Sequence, residues 1–141
     1  MKTLCGLLMA ASLGIVAWSG FAAEGEGKKV DTRVFELRTY YVFQGKMKAM
    51  NDRFRNHTCK LLEKHGMTLL GFWSPTDAKD AERLLIYLVA HPSQEAALKN
   101  WKTFGEDPDW IKAKTASEKA GKIVAKVERV FMNPTDYSAL K

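Results

Sequence analysis

Residues 34–41 alternate two sets of side chains, and this alternation constrains the fold more than any other feature of the chain. A period of two is typical of a β-strand whose two faces meet different surroundings. One set suits packing beneath helices: Phe35, Leu37, Thr39 and Tyr41. The other set follows Val34 and forms a polar row: Glu36, Arg38 and Tyr40. We interpret this row as the lining of a polar cavity, and the alternative is a solvated face of a sheet.

The beginning of the chain has the three parts of a secretory signal peptide. Lys2 supplies the positive charge, residues 4–17 are apolar but too short to span a bilayer comfortably, and small residues precede a cleavage site after Ala22. We therefore predict export to the periplasm or the medium, and the alternative is an uncleaved N-terminal anchor. The predicted organisation is a signal peptide (1–22), a glycine-rich leader (23–32), a folded domain (33–134) and a tail (135–141). No second apolar run is long enough to span a membrane, so we predict no stable span after cleavage.

Charge and cysteine content narrow the possible partners. The net charge is +6, and removal of the predicted signal, whose one charged residue is Lys2, leaves +5. The lysines are scattered among acidic residues, whereas nucleic-acid-binding proteins usually carry a basic stripe, so we predict no nucleic-acid partner. Cys5 would leave with the signal and Cys59 would remain alone, which excludes an intrachain disulfide in the mature chain.

The rest of the chain reads as an alternation of helices and strands. Apolar residues at helical spacing predict a helix over 46–64, ended by Gly66, and strands are predicted over 67–74, 84–90 and 123–132. Two helices follow the third strand, one after Ser93 and one after Asp107, where Pro108 takes the first helical position. The sequence thus predicts an α+β chain with the order β-α-β-β-α-(α)-β.

This order is typical of the ferredoxin-like arrangement, in which helices cover one face of a four-stranded antiparallel sheet. The third strand is apolar at every position from 84 to 90, which indicates that both faces of the sheet are covered. No other segment of the chain is left for the second face. We therefore predict a homodimer in which two sheets pack face to face.

Six short motifs, taken in order and spacing, resemble the NIPSNAP family. They are residues 35–40 (Phe-Glu-Leu-Arg-Thr-Tyr), 45–46 (Gly-Lys), 71–73 (Gly-Phe-Trp), 91–93 (His-Pro-Ser), 101–102 (Trp-Lys) and 107–110 (Asp-Pro-Asp-Trp). The resemblance covers about residues 34–134. It implies the fold of dimeric α/β-barrel proteins, a superfamily that includes small monooxygenases and haem-degrading enzymes. The family has no agreed catalytic residues, and its better-known relatives are mitochondrial, from which the predicted signal peptide departs.

We expect the two sheets to enclose a ligand site lined mainly by the first and last strands of the domain. The candidate ligand-binding residues are Glu36, Arg38, Tyr40, His57, Trp73, Tyr87, Lys126 and Glu128. A guanidinium beside a phenol favours an anionic or oxygen-rich ligand. The alternative is that Glu36, Arg38, Lys126 and Glu128 form a satisfied ion network without a ligand. Motifs for metals, nucleotides and activated nucleophiles are missing from the sequence, so we assign no metal, cofactor or catalytic residue.

Three hypotheses for function remain open from the sequence. The first is an exported dimeric barrel that binds a small hydrophobic or anionic molecule. The second is a cofactor-free monooxygenase or a haem-active enzyme on the same fold, with Arg38, Tyr40 and His57 as working residues. The third is a structural or interaction module whose barrel is filled.

Overall fold

The computed structural model describes residues 33–141, so the predicted signal peptide and leader lie outside the described residues. The elements are β1 (Val34–Val42), α1 (Met47–Arg53), a π-helical segment (Phe54–Thr58), α2 (Cys59–Lys64), β2 (Thr68–Trp73), α3 (Ala78–Ala81), β3 (Leu84–His91), α4 (Gln94–Glu106), α5 (Pro108–Ser117) and β4 (Val124–Met132). The predicted order of strands and helices is confirmed. The structure adds the short helix α3 where a polar turn was predicted.

The four strands form one antiparallel sheet in the order β2-β3-β1-β4. This topology confirms the ferredoxin-like α+β fold. The sheet is open and does not close into a barrel within one chain, so β2 and β4 are its edge strands. None of the helices within residues 33–141 has the length and apolar content needed to cross a bilayer.

Local signals in the sequence end and begin the helices as predicted. Gly66 and Gly121 have φ values of 77° and 102°, a region of backbone conformation that favours glycine, and they follow α2 and α5. The Asp107 side chain accepts hydrogen bonds from the backbone N–H groups of Asp109 and Trp110 and so caps α5. Ser93 caps α4 in the same way.

The first predicted helix is interrupted by the π-helical segment Phe54–Thr58. Here the backbone N–H of Cys59 bonds to the carbonyl of Phe54, five residues earlier, and the Thr58 hydroxyl donates to the carbonyl of Arg53 at 3.2 Å. One wide turn therefore separates α1 from α2. The periodicity of the apolar residues does not reveal this turn.

The main core lies between the sheet and the helices. It is built around Met50, Leu62, Tyr87, Val89 and Ile123, which have no exposed surface. In an antiparallel sheet, paired residues point to the same face. Tyr87 and Val89 are paired with Arg38 and Glu36, so the polar row of β1 faces the helices.

The predicted assignment of the two faces of β1 is therefore wrong. The Trp101 indole on α4 bonds to Glu36, and the Phe54 ring packs against Tyr40 with ring centroids 5.8 Å apart. A carboxylate tolerates burial beneath helices when hydrogen-bond donors surround it, and Glu36 has such donors. The more apolar row, which begins with Phe35 and Leu37, lies on the opposite face.

We call that opposite side of the sheet the uncovered face. Its apolar side chains include Leu37, Ile86, Leu88 and Val130, together with Trp73 at the β2 edge. Val130 is 55% exposed and Trp73 is 51% exposed. The C-terminal segment covers one end of this face, where Pro134 and Leu140 line a cavity of about 270 Å³ with Phe35 and Leu88.

Candidate functional site

The carboxylate of Glu36 is the centre of a buried polar cluster. It has no exposed surface, and it accepts hydrogen bonds from the Trp101 Nε1 at 2.6 Å, the His91 Nε2 at 3.0 Å and an Arg38 guanidinium nitrogen at 2.8 Å. Because an ionised carboxylate only accepts, the His91 Nε2 must carry the proton in its bond. The cluster joins β1, β3 and α4 at one point.

Opposing effects act on the pKa of Glu36. Burial by itself raises this pKa, but the hydrogen bonds from His91 and Trp101 and the charge of Arg38 together lower it below its usual value. Glu36 is therefore ionised at neutral pH and pairs with the Arg38 cation.

Arg38 links this cluster to the aromatic residues beside it. Its guanidinium lies 3.8 Å from the centroid of the Trp101 ring and 5.7 Å from that of Tyr40, and its side chain is 12% exposed. Such stacking suits the planar guanidinium, which is weakly hydrated. The buried Nε of Arg38 and the buried Nδ1 of His91 have no hydrogen-bond partner within the described part of the chain.

Tyr40 and Tyr87 continue the polar row toward the other end of β1. The Tyr87 hydroxyl donates to the Tyr40 oxygen at 3.2 Å. Tyr87 is completely buried, and burial raises its pKa well above the usual value, so it keeps its proton. Because Tyr87 donates in this bond, the proton of Tyr40 is available to another acceptor.

Tyr40 lines an open groove of about 330 Å³ between α5 and β4, which we call the α5–β4 groove. Its lining residues are Tyr40, Arg53, Trp110, Lys114, Glu118, Lys122, Val124 and Val127. Trp110 and Lys114 lie one turn apart on α5, and Glu118 follows one turn later at its C-terminal end, so one side of the helix forms a wall. Val124 and Val127 on β4 form the facing wall.

The lining of the groove carries three cations and one carboxylate. Arg53 is almost completely buried, and its guanidinium lies 3.3 Å from both the Glu118 carboxylate and the Ser117 hydroxyl, so its charge is partly balanced. Lys114 and Lys122 are exposed and make no side-chain hydrogen bond within residues 33–141. The groove is therefore positively charged overall, with an aromatic and aliphatic interior.

Of the residues predicted for the site, Glu36, Arg38, Tyr40 and Tyr87 are brought together on the helix side of the sheet. Lys126 and Glu128 are paired with Tyr41 and Thr39, so they lie on the uncovered face. There, Lys126 donates to Glu128, and the Tyr41 hydroxyl donates to Glu128 at 2.8 Å.

The predicted ion network of Glu36, Arg38, Lys126 and Glu128 is therefore wrong, because the sheet separates its two halves. Because Glu36, Arg38 and Tyr40 face the helices, they cannot line a space between two sheets that pack through their uncovered faces.

His57 and Trp73 lie apart from this cluster. His57 is exposed on the π-helical segment and lines a different groove. Trp73 lies on the uncovered face with its ring against Gly71, where an added Cβ atom would approach the indole to 2.7 Å. Gly71 therefore makes room for the Trp73 ring, and the binding roles proposed for His57 and Trp73 stay predictions.

The sequence reasoning missed His91 and Trp101 as members of the cluster. A pairing of β1 with β3 places His91 opposite Val34, which puts it on the same face as Glu36. That register is a signal the sequence contains once the two strands are aligned. Trp101 entered the sequence analysis only as part of a family motif, and no local pattern connects it to a residue on β1.

A second buried carboxylate lies outside the groove. Asp107 accepts from the Lys64 Nζ at 2.8 Å and bonds to the His65 Nε2 at 2.7 Å, in addition to capping α5. The bonds from Lys64 and His65 hold the pKa of Asp107 far below its usual value. This cluster ties α2 to the beginning of α5, which carries one wall of the α5–β4 groove. Among residues 33–141, no group of three or more histidine, cysteine or acidic side chains is placed to hold a metal ion.

Comparisons with known proteins agree with the fold. The family model described as NIPSNAP matches residues 35–139. A NIPSNAP family protein of unknown function from Agrobacterium tumefaciens superimposes with a TM-score of 0.67 and 17% identity, over 79% of this chain and 96% of that chain. A second protein of that family from the same organism gives 0.66 and 19%, over 77% and 99%.

An uncharacterised NIPSNAP-like domain protein from Burkholderia xenovorans gives a TM-score of 0.64 and 13% identity, over 77% of this chain and 90% of that chain. At these identities the structures show a shared fold. The search of curated proteins gives no match.

Proposed function

Because the chain belongs to the NIPSNAP family, whose model covers most of the described domain, we propose that it is a homodimeric binding protein for a small organic anion with an apolar body. The observation that carries this proposal is the α5–β4 groove, which combines an aromatic interior with lysines that have no partner among residues 33–141. Its volume of about 330 Å³ is within the range of small-molecule sites, roughly 300–1,000 Å³.

The groove offers a different interaction to each part of such a ligand. Lys114 and Lys122 at the rim attract a carboxylate or sulfonate group, and neither has to leave a partner within the described part of the chain. Trp110 and Val127 provide apolar surface for the body of the ligand. The Tyr40 hydroxyl, which accepts from Tyr87, can donate one hydrogen bond to the ligand and so fix the orientation of the ligand.

For the homodimer, we propose that the uncovered faces of two chains pack together. Exposed apolar groups such as Val130 and Trp73 favour burial, and a large aromatic side chain is a frequent anchor of an interface. Lys126 and Glu128 on the same face give it both signs of charge. A two-fold axis makes contacts reciprocal, so a dimer in which Lys126 of one chain meets Glu128 of the other forms that ion pair twice.

Export is a further part of the proposal, supported by the signal-like composition of residues 1–22. Expression of the whole gene product in a bacterial host, followed by N-terminal sequencing of the periplasmic fraction, tests it. We expect a chain beginning at Ala23. A full-length chain retained with the membranes would instead support the uncleaved anchor.

The ligand proposal is tested by calorimetry with 2-naphthoate and with 2-naphthamide, which share an aromatic body and differ in charge. We expect 2-naphthoate to bind more tightly than the amide and to lose affinity as salt is added. Replacing both Lys114 and Lys122 by Gln should weaken 2-naphthoate binding by about tenfold, equal to about 1.4 kcal/mol. The matched control replaces Lys99 and Lys102, exposed lysines on α4, by Gln and should leave binding unchanged.

Equal affinity for both compounds, or equal loss in both double variants, would contradict the proposed site. If neither compound binds, the result would favour the structural-module hypothesis. The enzyme hypothesis stays a prediction, and the Glu36–His91 pair gives it no support because both side chains are completely buried and bonded to each other.

A further inference from the structure

We propose that the chain has a second binding site, for the phosphate group of a small phosphate monoester, on the opposite side of α5. The site is a groove of about 400 Å³ that we call the π-segment groove. Its lining residues are Asn56, His57, Lys60, Leu61, Asp109, Lys112, Ala113 and Ala116. It shares no residue with the α5–β4 groove.

The groove lies between α5 and the π-helical segment with α2, and it stays open because the side chains of α5 that line it include two alanines. His57, Lys60 and Leu61 are spaced three and four residues apart across the π-helical segment and α2, so they lie on one side. Ala113 and Ala116 present the facing side of α5. Interdigitated large side chains normally fill the space between packed helices, and these alanines leave it open.

The wide turn at Phe54–Thr58 contributes two polar side chains to this groove. Asn56 and His57 belong to that turn, and both are exposed. Single π-helical turns within α-helices are frequent at functional sites, because the extra residue changes the direction of nearby side chains. A continuous α-helix would present residues 54–58 in a different register toward α5.

The polar lining is rich in hydrogen-bond donors. Asn56, His57, Lys60 and Lys112 make no side-chain hydrogen bond and no ion pair within residues 33–141. The carboxylate of Asp109 is at the rim and lies 3.8 Å from the Lys64 Nζ, which bonds more closely to Asp107, so the charge of Asp109 is only partly balanced.

Two ammonium groups, an imidazole and an amide from the π-helical segment, α2 and α5 match the three acceptor oxygens and the double negative charge of a phosphate monoester. The apolar floor of Leu61 and Ala113 fits a compact organic group attached to that phosphate.

Titration of the ¹⁵N-labelled protein with phenyl phosphate, followed by NMR, tests this proposal. We expect shifts at His57 and Ala116, and weaker binding of inorganic phosphate, which lacks the apolar group. The decisive variant is Ala116→Leu, which fills the groove from an exposed position on α5. It should weaken phenyl phosphate binding by about tenfold or more.

Thr115→Leu is the matched control, because Thr115 is exposed on α5 next to Ala116 but does not line the groove. Both variants should unfold near the wild-type urea concentration. Equal binding by the wild type and Ala116→Leu, or no binding by the wild type, would overturn the proposal. Equal affinity for inorganic phosphate would overturn the assignment to a monoester with an apolar group. Phenyl phosphate is itself a small organic anion, so binding here is read at His57 and Ala116, which line only the π-segment groove, and the Trp110 indole signal reports the α5–β4 groove separately.

Discussion

The indole Nε1 of Trp101 donates a 2.6 Å hydrogen bond to the carboxylate of Glu36, which lies 65 residues earlier in the chain. This bond joins α4 to the central strand β1 and supplies one of the donors that make a buried charge tolerable beneath helices. The same indole ring lies against the Arg38 guanidinium. The Trp101 side chain thus donates to the Glu36 anion and packs against the Arg38 cation that pairs with it.

The first prediction concerns that bond. Trp101→Phe keeps an aromatic ring near Arg38 but removes the donor to Glu36, and leaving a buried acceptor short of a partner costs about 1–3 kcal/mol. The matched control is Trp110→Phe, because the Trp110 indole nitrogen makes no hydrogen bond within the described part of the chain. Urea unfolding at pH 7 should show the larger loss for Trp101→Phe. A larger loss for Trp110→Phe would contradict the role assigned to the bond.

The second prediction follows from the lowered pKa of Glu36. A carboxyl group whose folded pKa is lowered stabilises the fold above its unfolded pKa, and this contribution is lost as pH falls through the folded pKa. The loss should therefore begin below the usual value of 4.5. Glu36→Gln removes the charge, and breaking a buried ion pair costs about 3–5 kcal/mol at pH 7.

The measurement is urea unfolding between pH 7 and pH 3. The difference between the wild type and Glu36→Gln should shrink toward the acid end of this range. Glu63→Gln, at an exposed position on α2, is the control and should change stability little at any pH. A difference between the wild type and Glu36→Gln that stays constant across the range would mean that folding does not lower the pKa of Glu36.

The third prediction separates the two roles of Asp107. Asp107→Asn keeps a good cap for α5 and loses the charge that pairs with Lys64 and His65, whereas Asp107→Ala loses both. We expect the alanine variant to unfold at a lower urea concentration than the asparagine variant, and both below the wild type. Equal unfolding midpoints for the two variants would show that the cap contributes nothing measurable.

The fourth prediction tests the proposed dimer with two substitutions on one strand. Val130→Lys adds a charge to the uncovered face, and Val127→Lys adds the same charge to the helix side of β4. Two like charges brought together at an interface disfavour association. Sedimentation velocity should show a dimer for the wild type and Val127→Lys and a monomer for Val130→Lys. A monomeric wild type would contradict the proposal that the apolar side chains of the uncovered face are buried in a dimer.

The order of the elements could be predicted because local signals determine it. Asp107 followed by proline, and glycines after α2 and α5, mark helix boundaries by backbone chemistry that needs no tertiary information. The third strand is apolar on both sides, and the structure places it inside the sheet, between β2 and β1. Its two apolar sides, however, give no information about which one the helices cover.

The direction of the polar row could not be predicted because the partners of Glu36 are remote. His91 and Trp101 follow Glu36 by 55 and 65 residues. No local sequence pattern links residues that are so far apart in the chain. Pattern reasoning placed the more apolar row of β1 beneath the helices, which is sound unless donors compensate the polar row. For the same reason, Arg53, Lys114 and Lys122 appeared in the sequence only as scattered basic residues.

The most direct test of the account is the location of bound 2-naphthoate, read from the indole N–H signals of the ¹⁵N-labelled protein. Trp110 lines the α5–β4 groove, and Trp73 lies on the uncovered face. We predict that titration moves the Trp110 signal in a saturable way and leaves the Trp73 signal in place. Movement of the Trp73 signal with an unchanged Trp110 signal would put the ligand between two sheets and contradict the account.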